Sequence, residues 1–310
     1  MIAGVDEAGR GPLAGPVVAA AVILPDEHTI EGLRDSKKLS PKKRELLFNV
    51  IREKAIAFGV GTVDPKTIDR INVRQATFKA MQMALGRLGQ KPDKALVDGE
   101  ALPNQIIPNE GIIKGDNLVD AIKAASIIAK VTRDRMMCQY DVIFPEYGFA
   151  RHKGYGTQAH MDALAKWKAT PIHRKTFSPV SDHWPSLNWY RKQRRIGWLG
   201  ERLVALKFLA SGHRILDMNV NCSPFGEIDL IVEKDSEIIF VEVKTISKEQ
   251  LGAPELKIDT LKLSKLEKAI DAYLVQHDVG KDIRLDAVAV SLIRGKPRFK
   301  YFRAIEMDIF

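Results

Sequence analysis

The sequence Val5-Asp6-Glu7-Ala8-Gly9-Arg10-Gly11 joins the end of an apolar run, residues 2–5, to a glycine-rich turn. The apolar run predicts a buried strand, and the glycines allow the chain to leave it sharply. Carboxylates at the end of a buried strand destabilise a fold unless they are paired or bind a metal ion. Backbone N–H groups beside glycines can approach a ligand closely, and an arginine between them suits a phosphate. The stretch therefore indicates a divalent-cation site for a phosphodiester, with solvated acids before a turn as the alternative.

Two further acids follow apolar runs in the same part of the chain. Residues 94–97 predict a buried strand that ends at Asp98, and the strand-like pair 112–113 is followed by a lysine, a glycine and then Asp116. Ligand sites of α/β sheets lie at the carboxyl ends of strands, so both acids are candidates for the site of Asp6 and Glu7. Asp116 also stands at the start of a predicted helix over residues 117–140, and the local pattern alone favours an N-cap there.

Basic and aromatic residues in loops are candidates for contacts with a phosphate or a sugar. Lys37 precedes a predicted helix over residues 41–56 and is interpretable either as a phosphate ligand or as a solvated lysine. Lys153 and Tyr155 lie in a basic loop that could hold a phosphate and stack a sugar, or could be a surface loop with a packed tyrosine. Arg133, on the predicted helix over residues 117–140, is interpreted as a surface or ion-paired residue.

The composition is that of a globular protein with a polyanionic partner. The 310 residues favour two domains, and the formal net charge of +9 is shared by both parts. With two cysteines, a disulfide framework or a cysteine-rich zinc site is not expected, and the reducing cytoplasm is the expected compartment. No apolar run reaches the ~18 residues that span a membrane, so no membrane partner is expected, and nothing specifies an oligomeric state.

Strand and helix patterns alternate along the chain and predict an α/β protein with two domains. Residues 65–88 read as one long helix, and residues 182–195 change in character, with tryptophans before a basic run. We therefore expect a first domain over residues 1–186, a linker over residues 187–195 and a smaller second domain over residues 196–310.

The second part carries its own group of acids. Glu201 lies near the start of a predicted helix, while Asp229 and Glu242 lie on two predicted strands, residues 226–232 and 237–244. Lys244 shares a strand face with Glu242, because side chains alternate along a strand. An acid pair with a lysine can bind Mg²⁺ and polarise a phosphate or a water. The alternative is an exposed hairpin with salt bridges.

The first part resembles bacterial ribonuclease HII over about residues 1–186. The resemblance rests on six motifs in order: V-D-E-A-G-R-G-P-L-A-G-P (5–16), D-S-K-K-L-S (35–40), V-D-G (97–99), K-G-D (114–116), A-A-S-I-I-A-K-V-T-R-D (124–134) and H-K-G-Y-G-T (152–157). It implies a ribonuclease H-like fold, in which helices flank a mixed sheet. It also implies metal-dependent cleavage of RNA in RNA/DNA hybrids and at single ribonucleotides embedded in duplex DNA.

The same resemblance implies roles for individual residues. The metal-binding carboxylates of the family fall on Asp6, Glu7, Asp98 and Asp116, which favours a ligand role over the N-cap at the last position. Two Mg²⁺ or Mn²⁺ ions are implied, with 5′-phosphate and 3′-hydroxyl products. The loop that senses the ribose 2′-OH falls on Gly9-Arg10-Gly11, and the sugar-stacking tyrosine falls on Tyr155.

The second part resembles the YraN-like family over about residues 194–305, which is itself similar to restriction-endonuclease-like PD-(D/E)xK nucleases. G-W-L-G-E (197–201), G-E-I-D (226–229) and F-V-E-V-K-T (240–245) carry this resemblance. It implies a smaller α/β domain with a metal site at Glu201, Asp229, Glu242 and Lys244. A nuclease of unknown substrate and a non-catalytic tether to nucleic acid both remain open for this domain.

Overall fold

The computed structural model describes residues 1–246, 260–277, 280–293 and 296–307. The chain divides into two compact units. The first comprises Met1–Cys138 and Glu146–Trp184, and the second comprises Gln139–Pro145 and Pro185–Phe310. Each unit has its own sheet of five strands among the residues described.

The first unit is built on short, apolar strands. In chain order they are β1 (Ile2–Ala8), β2 (Val17–Ile23), β3 (Ala57–Val63), β4 (Lys94–Asp98) and β5 (Asn109–Ile112). The helices along residues 41–167 are α1 (Pro41–Lys54), α2 (Pro65–Ile71), α3 (Val73–Gly86), α4 (Gly115–Leu118), α5 (Asp120–Ile143), α6 (Phe149–His152) and α7 (Gln158–Trp167).

The sheet of the first unit is mixed, with the strand order β3-β2-β1-β4-β5. β1 pairs antiparallel with β2 and parallel with β4, which in turn pairs parallel with β5. Alternate residues of β2 face opposite sides of the sheet and contribute to two separate helix-covered cores. Ala19 and Ala21 lie in the core under α2 and α3, whereas Ala20 and Val22 lie in the core under α1 and α5. The predicted α/β fold with helices flanking a mixed sheet is confirmed.

The single helix predicted over residues 65–88 is wrong, because Asn72 divides it into α2 and α3. Asn72 adopts a positive φ of 65°, and its side chain accepts a hydrogen bond from the N–H of Gln75. Asparagine tolerates the left-handed region better than most residues and is a favourable N-cap, so one residue ends α2 and begins α3. The apolar periodicity continues across the break, which is why the pattern alone does not reveal it.

The second unit has a mixed sheet with the order β10-β9-β8-β7-β6. Its elements are α8 (Leu187–Lys192), α9 (Ile196–Ala210), β6 (Arg214–Asn221), β7 (Glu227–Lys234), β8 (Glu237–Ile246), α10 (Thr260–Gln276), β9 (Asp282–Ser291) and β10 (Arg298–Phe302). β8 and β9 are parallel, while the other neighbours are antiparallel. α10 packs Leu266, Ile270 and Tyr273 into the core that contains Phe240. The segment expected to be a linker, residues 187–195, carries α8, whose N-cap is Ser186.

Within the described ranges, no helix has both the length and the apolar character needed to cross a membrane.

Candidate functional site

Asp6 and Asp98 lie at the same end of two neighbouring parallel strands. β1 and β4 are in register through Val5 and Val97, so the next residue of each strand is one of these acids. β1 continues through Asp6 and Glu7 to Ala8, beyond the predicted end at residue 5. The carboxyl edge of the sheet thus brings together acids that are 92 positions apart in the sequence.

Asp6 is buried beneath α5. Because Val5 faces the core under α2 and α3, strand alternation turns Asp6 to the α5 face, where the nearby hydroxyl of Ser126 lowers the pKa of its carboxyl. Ser126 Oγ lies 2.8 Å from Ser36 Oγ, and both serines are buried. Burial raises the pKa of Asp6 well above its usual value, and the negative charges of Glu7 and Asp98 raise it further.

Glu7 is less buried and lies among basic groups. Burial raises its pKa and Asp98 adds to the rise, whereas Arg10 and Lys37 oppose it. Arg10 Nη1 is 3.6 Å from Glu7 Oε1, and the arginine side chain is largely exposed. Lys37 therefore lies close enough to influence the acids, as its proposed phosphate contact requires, and its own N–H donates to Asp35.

Asp116 lies within α4 and is not its N-cap, a position that Lys114 occupies in the left-handed region with a φ of 57°. The N-cap alternative for Asp116 is therefore wrong. Instead, the N–H of Asp116 donates to Asp98 Oδ1 at 3.3 Å, so the carboxylate of Asp98 sits at the start of this short turn. Burial raises the pKa of Asp98, and the charge of Asp116 raises it too. Four acids thus form one group of mutually repelling carboxylates.

In the part of the chain that the structure describes, no three His, Cys, Asp or Glu side chains are close enough to enclose a metal ion as they stand. The four acids nevertheless fit a hard divalent cation by their chemistry. Carboxylate oxygens are the ligands that Mg²⁺ and Mn²⁺ prefer. The raised pKa values of Asp6, Glu7 and Asp98 arise partly from repulsion between neighbouring acids, which a cation would relieve.

The loop after β1 packs against a buried arginine. Gly9 has a φ of +100°, and a Cβ at this position would meet Nε of Arg133 at 2.1 Å. Only glycine fits there, on conformational and steric grounds. Gly11 is open, since a Cβ there would meet only Tyr155, at 3.9 Å. Tyr155 is 45% exposed, so its ring and Gly11 line one accessible surface.

Lys153 is held by its own neighbourhood. Its Nζ donates to the carbonyl of Ala150 at 2.5 Å and lies 3.4 Å from Sγ of Cys138. Its backbone carbonyl accepts from Nη1 of Arg133 at 3.0 Å. The ammonium group predicted to hold a phosphate therefore already has partners within the protein. To contact a phosphate, it would have to leave the carbonyl of Ala150 and Sγ of Cys138.

Two buried arginines were missed by the sequence interpretation. Arg133 was expected at the surface or in an ion pair, but it is 1% exposed and donates to backbone carbonyls of Ala14, Pro16 and Lys153. Arg174 is fully buried and donates to carbonyls of Gly9, Arg10 and Gly15. No local pattern distinguishes such arginines from surface ones, because their acceptors lie far away in the sequence.

The second unit brings together Asp229 and Glu242, on the antiparallel pair β7 and β8. Asp229 Oδ2 accepts a hydrogen bond from the N–H of Val243 at 2.7 Å. Burial raises the pKa of Asp229 to about 7, with the charges of Glu242 and Glu201 adding to the rise. Glu201 itself accepts from Arg202 and from Asn219, at 2.8 and 2.9 Å.

Gly200 allows Glu201 to approach this sheet. A Cβ on Gly200 would stand 1.8 Å from Oγ1 of Thr245, so α9 packs on β8 at this glycine. Glu201 follows directly, in the second turn of α9.

The lysine that contacts this second acid group is Lys262. Its Nζ forms an ion pair with Glu242, which is 5% exposed. Lys244 is exposed, at the end of β8. The contact made by Lys262 joins α10 to β8 across 20 positions of the sequence, and so it could not be read from a strand pattern.

Comparisons with known proteins divide the chain at a similar place. The family model described as Ribonuclease HII matches residues 3–180, and the model described as Uncharacterised protein family UPF0102 matches residues 200–290. Ribonuclease HII of Coxiella burnetii (strain RSA 493 / Nine Mile phase I) is 56% identical over 180 residues, which are 58% of this chain and 89% of that protein. Ribonuclease HII of Bacillus cytotoxicus is 56% identical over 181 residues, which are 58% of this chain and 70% of that protein.

Solved structures agree on the fold of the first unit. Ribonuclease H2 from Pyrococcus horikoshii matches with a TM-score of 0.50 and 28% identity, covering 62% of this chain and 99% of that one. RNase HII from Archaeoglobus fulgidus, solved in a complex with PCNA, matches with a TM-score of 0.50 and 27% identity, covering 61% and 99%.

Proposed function

The chain belongs to the ribonuclease HII family and is an endoribonuclease, a type 2 ribonuclease H, and on that premise we propose that its four clustered carboxylates form the catalytic centre. The family acts on RNA/DNA hybrids and is metal-dependent. The observation that carries the proposal is the placement of Asp6 and Asp98 at adjacent strand ends. Glu7 and Asp116 belong to the same group, because the charge of Glu7 raises the pKa of Asp6 and the charge of Asp116 raises the pKa of Asp98.

We assign Asp6, Glu7, Asp98 and Asp116 as ligands of two Mg²⁺ or Mn²⁺ ions. When bound, such a pair would supply activation of a water and stabilisation of the leaving 3′-oxygen in an in-line displacement. Ser126 lies beside Asp6, and its hydroxyl would donate to the carboxylate and fix its direction. The 3.3 Å bond from the N–H of Asp116 does the same for Asp98. Lys37 and Arg10 would place positive charge beside the scissile phosphate.

The loop Gly9-Arg10-Gly11 and Tyr155 would select the nucleotide to be cut. The 2′-OH distinguishes RNA from DNA, and backbone groups of an open glycine loop can bind it without a side chain in the way. Tyr155 lies beside Gly11 with an exposed ring on which a sugar could stack. This arrangement supports cleavage at a single ribonucleotide within duplex DNA, and Lys153 is proposed to contact a phosphate of the same strand after leaving its local partners.

The proposed substrates are the RNA strand of an RNA/DNA hybrid and ribonucleotide-containing duplex DNA in the cytoplasm. The test uses three labelled duplexes of identical sequence: an RNA/DNA hybrid, duplex DNA with one ribonucleotide, and all-DNA duplex. We expect cleavage of the first two in Mg²⁺ or Mn²⁺, with 5′-phosphate products. Equal cutting of the all-DNA duplex would contradict the proposal.

For the second unit, which matches a family of uncharacterised role, we propose a domain over residues 196–310 with a metal site of Glu201, Asp229 and Glu242. The raised pKa of Asp229 and the burial of Glu242 support it. Lys244 is assigned to contact a phosphate of a nucleic acid, because its side chain is exposed and therefore accessible. Residues 1–186 form the first domain in this proposal, and residues 187–195 connect the two.

A specific observation supports a second candidate for this unit, a non-catalytic tether to nucleic acid. The ammonium of Lys262 already neutralises Glu242, so one of the three acids has a partner within the protein. The part of divalent-ion binding to the full chain that is lost in Asp229→Ala separates the candidates, because a tether needs no metal at Asp229.

A further inference from the structure

Every side-chain hydrogen bond that the structure shows for Arg174 goes to a backbone carbonyl of the loop that follows β1. Nη1 donates to the carbonyl of Arg10 at 2.7 Å, and Nη2 donates to those of Gly9 and Gly15 at 2.5 and 3.0 Å. Nε donates to Gly15 at 3.1 Å. The side chain is fully buried, and the acceptors are 159 to 165 positions away.

Arg133 holds the next part of the same loop from α5. It donates to Ala14 and Pro16 at 3.1 and 3.0 Å, and to Lys153, two residues before Tyr155, at 3.0 Å. The main chain of Arg174 is fixed as well, since its N–H donates to the carbonyl of Leu13 at 2.9 Å. The two arginines thus tie residues 9–16 to the segment that carries Tyr155.

Burying two like charges side by side destabilises the fold. Burial and the charge of Arg133 lower the pKa of Arg174 to about 9. An apolar residue could fill either position without this penalty. Guanidinium groups offer what an apolar residue lacks, a planar set of donors that captures several carbonyls in a fixed direction.

The hydrogen bonds from the guanidinium groups to the loop carbonyls determine where the N–H groups of the loop point. In a trans peptide the C=O and N–H groups point in opposite directions. Because Arg174 binds the carbonyls of Gly9 and Arg10, the N–H groups of Arg10 and Gly11 are turned away from the buried guanidinium. Neither N–H donates a backbone hydrogen bond to any residue that the structure describes.

We propose that Arg174 and Arg133 are positioning residues that set the discrimination between ribose and deoxyribose, by holding the N–H groups of Arg10 and Gly11 towards the substrate beside Tyr155. This inference rests on the proposed sensing role of the loop. Neither arginine touches the substrate. Without their multiple hydrogen bonds the peptide planes would rotate, and the donors would no longer converge on a 2′-oxygen.

The test compares Arg174→Lys and Arg133→Lys with the unchanged full chain and with Arg87→Lys. Arg87 is a matched control, because it also donates to a backbone carbonyl, that of Val60, but is exposed at the end of α3. Lysine keeps the charge of either buried arginine but cannot bind several carbonyls at once. Fluorescence anisotropy in EDTA measures the affinity for duplex DNA with one ribonucleotide and for the all-DNA duplex of the same sequence.

We expect the unchanged chain and Arg87→Lys to prefer the ribonucleotide duplex. In each buried-arginine variant, the ratio of the affinity for the ribonucleotide duplex to that for the all-DNA duplex should fall about tenfold, equivalent to about 1.4 kcal/mol. The affinity for the all-DNA duplex itself should stay the same. Folded variants that retain the full preference would overturn the positioning role and leave the proposed sensing loop intact. Failure of both variants to fold would show that the arginines serve the fold alone. Absence of any preference in the unchanged chain would overturn the sensing role itself, and this inference with it.

Discussion

Nε of Arg133 lies against the α-carbon of Gly9, so that a Cβ added to Gly9 would stand 2.1 Å from it. Gly11, two residues later, has no such neighbour. The two glycines of the loop therefore serve different purposes. Gly9 is required by the fold of the loop, and Gly11 leaves space beside Tyr155.

Alanine at the two positions should separate these purposes. Gly9→Ala combines a positive φ with a steric conflict, and we expect a loss of at least ~1 kcal/mol of folding stability together with a loss of cleavage. The free energy of unfolding of Gly11→Ala should lie within about 0.5 kcal/mol of that of the unchanged protein, because a Cβ there makes only an ordinary contact. Its added methyl group occupies the proposed ribose space, so cleavage at a single ribonucleotide should fall strongly. Thermal melting and single-turnover cleavage check both, and unchanged cleavage by Gly11→Ala would contradict the placement of the ribose.

Ser126→Ala should slow cleavage by about tenfold, the equivalent of one hydrogen bond of about 1.4 kcal/mol to the carboxylate of Asp6. The reason is that the hydroxyl of Ser126 lies beside Asp6 as a hydrogen-bond donor, while Oγ of Ser36 lies 2.8 Å from Oγ of Ser126 and orients it. We expect the effect in kcat rather than in KM, since neither serine reaches the substrate. Ser181→Ala is the matched control, because Ser181 donates to Asp182 at the surface. Equal rates for the two variants would show that Asp6 needs no such orientation.

The second unit should gain thermal stability from Mn²⁺ or Mg²⁺ in the full chain, and Asp229→Ala should abolish that gain. Binding of a cation to the folded state stabilises it by mass action. Asp271→Ala, an exposed acid on α10, is the control that should keep the gain. Calorimetry of the full chain carrying Asp98→Asn follows the transition of the second unit. A gain that survives Asp229→Ala would leave the tether as the remaining function of this unit.

The same gain should depend on pH in a defined direction. Burial and neighbouring acids raise the pKa of Asp229 to about 7, so its carboxyl is mostly protonated at pH 6 and mostly ionised at pH 8. Because a proton competes with the cation for the carboxylate, the stabilisation by Mn²⁺ should shrink as the pH falls through 7. Melting temperatures with and without Mn²⁺ at pH 6 and pH 8 measure it. A gain that is larger at pH 6 would contradict a role for ionised Asp229.

The strands and helices that carry the acids of both units could be predicted from the sequence, because the signal of each element is local. An apolar run ends at Asp6 and another ends at Asp98, and the carboxyl edge of a sheet is where such ends meet. The break at Asn72 was missed, because it interrupts the chain without interrupting the apolar periodicity.

Contacts between distant segments could not be predicted. Arg174 follows a histidine in a basic run that shows no partner for it, yet its acceptors begin at Gly9. Lys262 pairs with Glu242 because the tertiary fold brings α10 against β8. In both cases the chemistry of the side chain is evident in the sequence, while its partner is set by the tertiary fold.

The central claim is that the carboxylates at the ends of β1 and β4 act in catalysis. Asp98→Asn tests it most directly, since the amide keeps the shape of the side chain and its hydrogen bond from Asp116 but removes the charge that a metal ion requires. Single-turnover cleavage of duplex DNA with one ribonucleotide, in Mg²⁺ and in Mn²⁺, is the measurement, with affinity for the same duplex in EDTA as the control for folding. The account predicts that cleavage is lost while affinity is retained. Cleavage by Asp98→Asn at the rate of the unchanged protein would contradict it.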